Sequence, residues 1–163
     1  MKATRREMNR AEAWVEKHLR GDESPFSFLY GDRPSSELLP NWGGDVSVAE
    51  SNGSQPQTVL TFYDPMTGLQ VRCVATTYTD FPAVEWVVYL KNTTEQDTSI
   101  ISDIQPLDVA VPVPGTETCR LHHANGSDSK IDDFHPLETP LAPSESITLA
   151  AHLGRSSNRT LPF

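Results

Sequence analysis

The sequence predicts an all-β protein, an antiparallel β-sandwich with a short helix at its N-terminus. Three observations carry that prediction. Apolar residues recur with a period of two over 57–63, 69–78 and 83–91, the spacing of strands that bury one face. Only one stretch, near residues 8–20, has helical spacing. The 13 prolines spread through 163 residues punctuate short elements and oppose long helices.

The helix comes first in the chain. Ala11, Trp14, Val15, His18 and Leu19 fall on one face of a 3.6-residue period, and Gly21 follows as a stop. This divides the chain into a helix and linker over 1–21 and a sandwich domain over 22–163.

The strands follow in order. Leu60 and Phe62 alternate with Val59, Thr61 and Tyr63; Asp64-Pro65-Met66-Thr67-Gly68 then supplies a turn, with Gly where a positive φ is wanted. Leu69, Val71, Cys73, Ala75 and Thr77 share one face of the next run, so the pair makes a β-hairpin. After Asp80-Phe81-Pro82, the set Val84, Trp86, Val88 and Leu90 points one way; Glu85, Val87, Tyr89 and Lys91 point the other. Trp86 belongs to the core on this pattern. The region 100–113, broken by Pro106 and Pro112, reads as an edge or bulged strand. Two more strands are expected over 116–123 and 146–151. Two long segments, 25–45 and 122–143, read as irregular, and such loops are often functional.

Composition excludes several classes of function. A net charge of −9 repels phosphate backbones, which argues against a nucleic-acid partner. No run of 18 apolar residues exists, so no spanning helix and no membrane partner is expected. The basic start, Met1 to Arg10, is followed by no apolar stretch of the kind a signal peptide needs. Cys73 sits in a strand pattern and reads as a small buried apolar residue. Pairing with Cys119 requires adjacent strands.

Candidate chemistry is sparse. Asp132, Asp133 and Glu138 are close enough in sequence for acid–base work or cation binding, but they lack the alternating ligand spacing of a calcium loop. His122 and His123, being adjacent, point to opposite faces of a strand and do not share one metal. His135 adds no second ligand pair. Gly126-Ser127 lacks the setting of a nucleophile elbow. No catalytic residue, no metal ligand set and no cofactor is expected in this chain. What remains is a loop with exposed aromatic and polar groups: Trp42, Glu37 and Asp32. An aromatic ring under the apolar face of a sugar, with carboxylates for its hydroxyls, is carbohydrate-binding chemistry.

Several stretches, in order, are familiar. They are Pro25 to Gly31, Pro34 to Trp42, Asp64 to Leu69 with Val71-Arg72-Cys73, Asp80 to Trp86, and Leu137 to Leu141. Together they resemble the N-terminal region of glycoside hydrolases of family 36, the α-galactosidase-like enzymes, over residues 22–163. The resemblance implies a sandwich of the galactose-mutarotase-like kind, a supersandwich that is incomplete in this chain. It implies a partner (β/α)₈ barrel with the two catalytic aspartates of a retaining mechanism. No βα repeat follows before Phe163, so on this reading the barrel is missing, the chain is a fragment and no catalytic residue carries over. The residues 34–42 are the stretch expected to border the sugar site. The expected function is a non-catalytic N-terminal domain of an α-galactoside-cleaving enzyme. The other readings are a free-standing carbohydrate-binding module and a structural module that drives homo-oligomerisation.

Overall fold

The computed structural model describes residues 3–50, 55–111, 119–127, 129–150 and 160–161. Antiparallel sheet dominates it, with one helix of appreciable length at the N-terminus. The chain divides into two compact units, Met1–Ala110 and Val111–Phe163.

Helix α1 (Arg5–Leu19) starts one turn earlier than its apolar stripe suggests. Thr4 caps it: its hydroxyl accepts the Glu7 N–H at 3.3 Å while the Glu7 carboxylate accepts the Thr4 N–H at 2.7 Å. The Thr4 N–H and the Thr4 hydroxyl, which also donates to the Glu7 carboxylate at 2.7 Å, favour its charged form, so Glu7 is held below its usual range. The Thr-x-x-Glu capping box is legible in the sequence and extends the helix through its basic first turns. Val15, His18 and Leu19 are buried, so α1 belongs to the core of the first unit and is no linker.

Strands β1 (Ser27–Tyr30), β2 (Arg33–Pro34) and β7 (Ile101–Gln105) form a small sheet in the order β2-β1-β7. Gly31 and Asp32 join β1 to β2 with φ of 54° and 64°, the paired positive values of a tight hairpin turn. A short helix α2 (Ser35–Leu38) and a 3₁₀ turn (Leu39–Asn41) follow. Strands β3 (Gly43–Glu50), β4 (Pro56–Tyr63), β5 (Leu69–Thr77) and β6 (Val84–Asn92) make a four-stranded antiparallel meander.

Register decides which face is buried. Leu60 pairs with Cys73, which pairs with Val88; Phe62, Val71 and Leu90 form the next row. Directly opposed residues share a face, so this face gathers Leu60, Phe62, Leu69, Val71, Cys73, Ala75, Val84, Trp86, Val88 and Leu90. Phe26, Phe28 and Tyr30, Leu38 and Leu39, and Val15 and Leu19 of α1 complete one core. Each fully buried side chain of this size contributes about 1.5–3 kcal/mol of hydrophobic stabilisation. Burial pushes the Cys73 thiol up to about 12, so it stays protonated and inert at neutral pH.

The second unit has β8 (Cys119–Asn125), β9 (Pro136–Leu141) and β10 (Thr160–Leu161) in the order β10-β8-β9. Cys73 is buried and Cys119 exposed, and both are free thiols.

Several sequence expectations need correction. The segment 25–45 is not irregular: it holds β1, β2, α2, the 3₁₀ turn and the start of β3. The segment 122–143 holds the end of β8 and all of β9. Two prolines hid β9, but among the described residues it pairs with β8 alone, and an edge strand tolerates proline. The strand expected over 146–151 is absent from 146–150; Ala151 lies outside the described residues. The strand expected at 116–123 runs Cys119–Asn125, and 116–118 lie outside the described residues. The broken strand at 100–113 is the edge strand β7, whose register with β1 shifts between Ser27 and Leu29.

Candidate functional site

The candidate residues Asp32, Glu37 and Trp42 come together on one segment, 31–42, between β1 and β3. Asp32 and Glu37 are exposed, and Glu37 faces Arg33 one helical turn back at 4.0 Å. Asn41 donates its side-chain N–H to the Glu37 carbonyl at 2.8 Å, and the Trp42 N–H reaches the Leu38 and Leu39 carbonyls at 3.1 and 3.3 Å. These bonds stop the 3₁₀ turn and aim the chain into β3.

Trp42 is half-buried, not free on a flexible loop. Its ring meets Tyr30 edge-on with centroids 5.7 Å apart and an interplanar angle of 90°, and lies 6.5 Å from Phe28. Such edge contacts fix an indole and add about 0.5–1.5 kcal/mol beyond burial. Trp86 is half-buried as well, stacked at 5.3 Å on Trp14 with its N–H donated to the Pro106 carbonyl at 2.8 Å. The sequence contrast between a core Trp86 and a surface Trp42 therefore becomes a contrast of settings. Trp86 is anchored by a strand and α1; Trp42 is anchored by a turn and Tyr30.

Tyr30 is itself held by a buried polar relay that sequence reasoning missed. Its hydroxyl contacts the Thr67 hydroxyl at 2.5 Å and accepts the Ser99 N–H at 3.2 Å. Thr67 in turn donates to the Asp64 carboxylate, which also accepts the Met66 N–H at 3.0 Å. Asp64 is only 7% exposed, so these bonds are needed to offset the cost of burying a carboxylate. Gly68 completes the turn at φ 76°, where an added Cβ would lie 2.4 Å from the Thr94 methyl. The signal was present in Asp64-Pro65-Met66-Thr67-Gly68, an Asp that bonds its own turn, but nothing local reveals that Tyr30 is the fourth partner.

The other candidates are tied to structure. The Asp133 carboxylate accepts from the Ser127 hydroxyl and the Ser129 N–H at 3.1 and 3.0 Å, and Asn125 reaches Asp132 at 3.3 Å. Asp132 and Asp133 thus brace the turn between β8 and β9. His122 is exposed beside Glu138 at 3.9 Å, whereas His123 is buried with Nε2 3.0 Å from the Thr139 hydroxyl. The two histidines do lie on opposite faces of β8. Arg120 pairs with Glu138 and holds that carboxyl below its usual range. Among the described residues no three His, Cys, Asp or Glu side chains could hold a metal ion, and no helix is long and apolar enough to cross a membrane.

The segment 31–42 therefore presents two exposed carboxylates and a half-buried indole held against Tyr30 and Phe28. No protein-family model, no curated protein and no solved structure matches the chain.

Proposed function

We propose that this chain is the non-catalytic β-sandwich region of an α-galactosidase-like glycoside hydrolase, a galactose-mutarotase-like sandwich that supports a catalytic barrel and lends the segment 31–42 to the rim of the sugar site. The observation that carries the reading is the anchoring of Trp42. An indole fixed by Tyr30, with Asp32 and Glu37 exposed on the same segment, suits stacking on a sugar ring with carboxylates at its hydroxyls. The residues behind the resemblance also do structural work. Phe26, Phe28 and Tyr30, and Val71 and Cys73, belong to the core cluster, Val84 and Trp86 pack against it, and Asp64 to Gly68 form the relay turn.

The catalytic carboxylates belong to the barrel on this reading, since glycoside cleavage needs two carboxyl groups set across the bond. The purified chain should not turn over an aryl α-galactoside. The deciding experiment is to sequence the coding region past codon 163. A run of βα units in frame supports the assignment. An in-frame continuation without them, or a stop codon, rejects it. With the barrel present, Trp42→Ala should raise KM for the galactoside at least several-fold with kcat less affected; an unchanged KM removes the segment from the site.

A further inference from the structure

The core uses one face of the β3–β6 sheet. The opposite face is a regular grid with its own chemistry. One row runs Gly43, Tyr63, Gln70, Lys91, the next Asp45, Thr61, Arg72, Tyr89, and the third Ser47, Val59, Val74, Val87. Tyr63 and Tyr89 are 44% and 52% exposed, and Arg72 and Lys91 are exposed beside them. The tyrosines stand two strands and one row apart, on the order of 12 Å, a span that two linked sugar rings cover.

Two features set this face apart. The first is charge. Residues 21–163 hold 7 Lys and Arg against 19 Asp and Glu, so cations there are scarce. Arg33 and Arg120 pair with glutamates. Arg72 and Lys91 stand on neighbouring strands and, among the described residues, make no ion pair. Asp45 lies two strands from Arg72, about 10 Å away, and Glu85, near the far end of β6, is engaged by the Tyr78 hydroxyl. The second feature is order. Gln70 donates its side-chain N–H to the Tyr63 hydroxyl at 2.7 Å, which leaves the Tyr63 proton and the Gln70 carbonyl to meet a ligand. The Arg72 guanidinium lies 6.0 Å from the Tyr89 ring centroid, a cation–π pairing that pre-positions its donors.

We propose that this face binds a sugar bearing a single carboxylate, a uronic-acid type of ring, with the carboxylate on Arg72 and Lys91 and the sugar faces against Tyr89 and Tyr63. A neutral sugar would leave both cations unmatched. A polyanion such as nucleic acid would run beyond the patch onto a surface of net negative charge. One carboxylate engages only local charges, because screening at about 8 Å hides the rest at physiological salt. The proposal is independent of the assignment to a glycoside hydrolase, since it involves none of the residues 31–42.

Isothermal titration of the full chain with a disaccharide of one galacturonate ring and one galactose ring tests it, with digalactose and a short oligothymidylate as controls. Saturable binding of this monocarboxylate disaccharide is expected, weakened at least tenfold by Arg72→Gln and by Tyr89→Ala and weakened by 0.5 M salt as screening demands, with digalactose binding at least tenfold weaker. Both side chains are exposed, and an unchanged circular dichroism melt would show that the variants stay folded. Absence of binding, equal affinity for digalactose, or an unaffected Arg72→Gln variant overturns the proposal. Tighter binding of oligothymidylate would overturn it in favour of single-stranded nucleic acid. A dimer in sedimentation that Arg72→Gln dissolves would assign the face to a second copy of the chain instead, and equally overturn it.

Discussion

The segments 25–45 and 122–143 both read as irregular in sequence, each with three prolines and several Ser and Asp, yet they have opposite fates. The first buries Phe26 and Phe28 at 3% exposure and Tyr30 at 7%, and it lies in the core of its unit. The second leaves Ile131 and Phe134 fully or half exposed and holds its shape through Asp132, Asp133 and Asn125. The difference lies in spacing. Phe26, Phe28 and Tyr30 alternate, so one strand delivers all three to the same side. Ile131 and Phe134 flank a turn in which Phe134 takes a φ of 61°, and no strand aims them anywhere.

The largest effect expected from this contrast is on stability. Phe28→Ala should cost about 3–5 kcal/mol, enough to unfold a domain of ordinary stability. Phe134→Ala should stay within about 0.5 kcal/mol of the parent. Urea denaturation measures both, and similar losses would break the comparison. A smaller effect is expected from cutting the relay behind Trp42. Tyr30→Phe leaves the Ser99 N–H without its partner, at about 1–3 kcal/mol. It should also move the Trp42 indole N–H resonance in an NMR spectrum; a lowered stability with that resonance unmoved would show that the relay holds the core but not the indole.

The smallest effect concerns the second segment and pH. Arg120 keeps the Glu138 carboxyl ionised below its usual value of 4.5, so the pair stabilises the fold above that value. Its contribution is lost as the pH falls through the depressed folded value. Glu138→Gln should therefore flatten the acid limb of the stability curve, slightly because the pair is exposed. A variant whose stability falls as steeply between pH 5 and 3 as the parent's would remove the pair from the account.

Three of the four meander strands were legible because their alternation is long: the runs through Leu60, Val71 and Val88 matched β4, β5 and β6 to within about two residues, whereas β3 was missed. Helix α1 was legible from Trp14, Val15, His18 and Leu19, although its start depended on the Thr4 cap. Short elements were not. A four-residue β1 and a two-residue β2 carry too few positions for a period; pairing with β7 defines β1, and the hairpin with β1 defines β2. The candidate residues Asp32, Glu37 and Trp42 can be picked out as a group from composition, but the support of the Trp42 ring cannot, since Tyr30 and Thr67 are 37 positions apart. The grid around Arg72 was hidden for a similar reason. Each strand shows one cation or one tyrosine, and only the register lines them up.

The two edges of sheet described here differ in a way that matters when the chain is concentrated. β9 carries Pro136 and Pro140, which lack the N–H a further strand would need, so that edge refuses templated growth. β3 has no proline from Gly43 to Glu50, pairs among the described residues with β4 alone, and leaves Val46 and Val48 about half uncovered, at 50% and 57%. It is an edge along which stray extended segments would stack, and Val48→Lys should slow the growth of fibrils, read by light scattering.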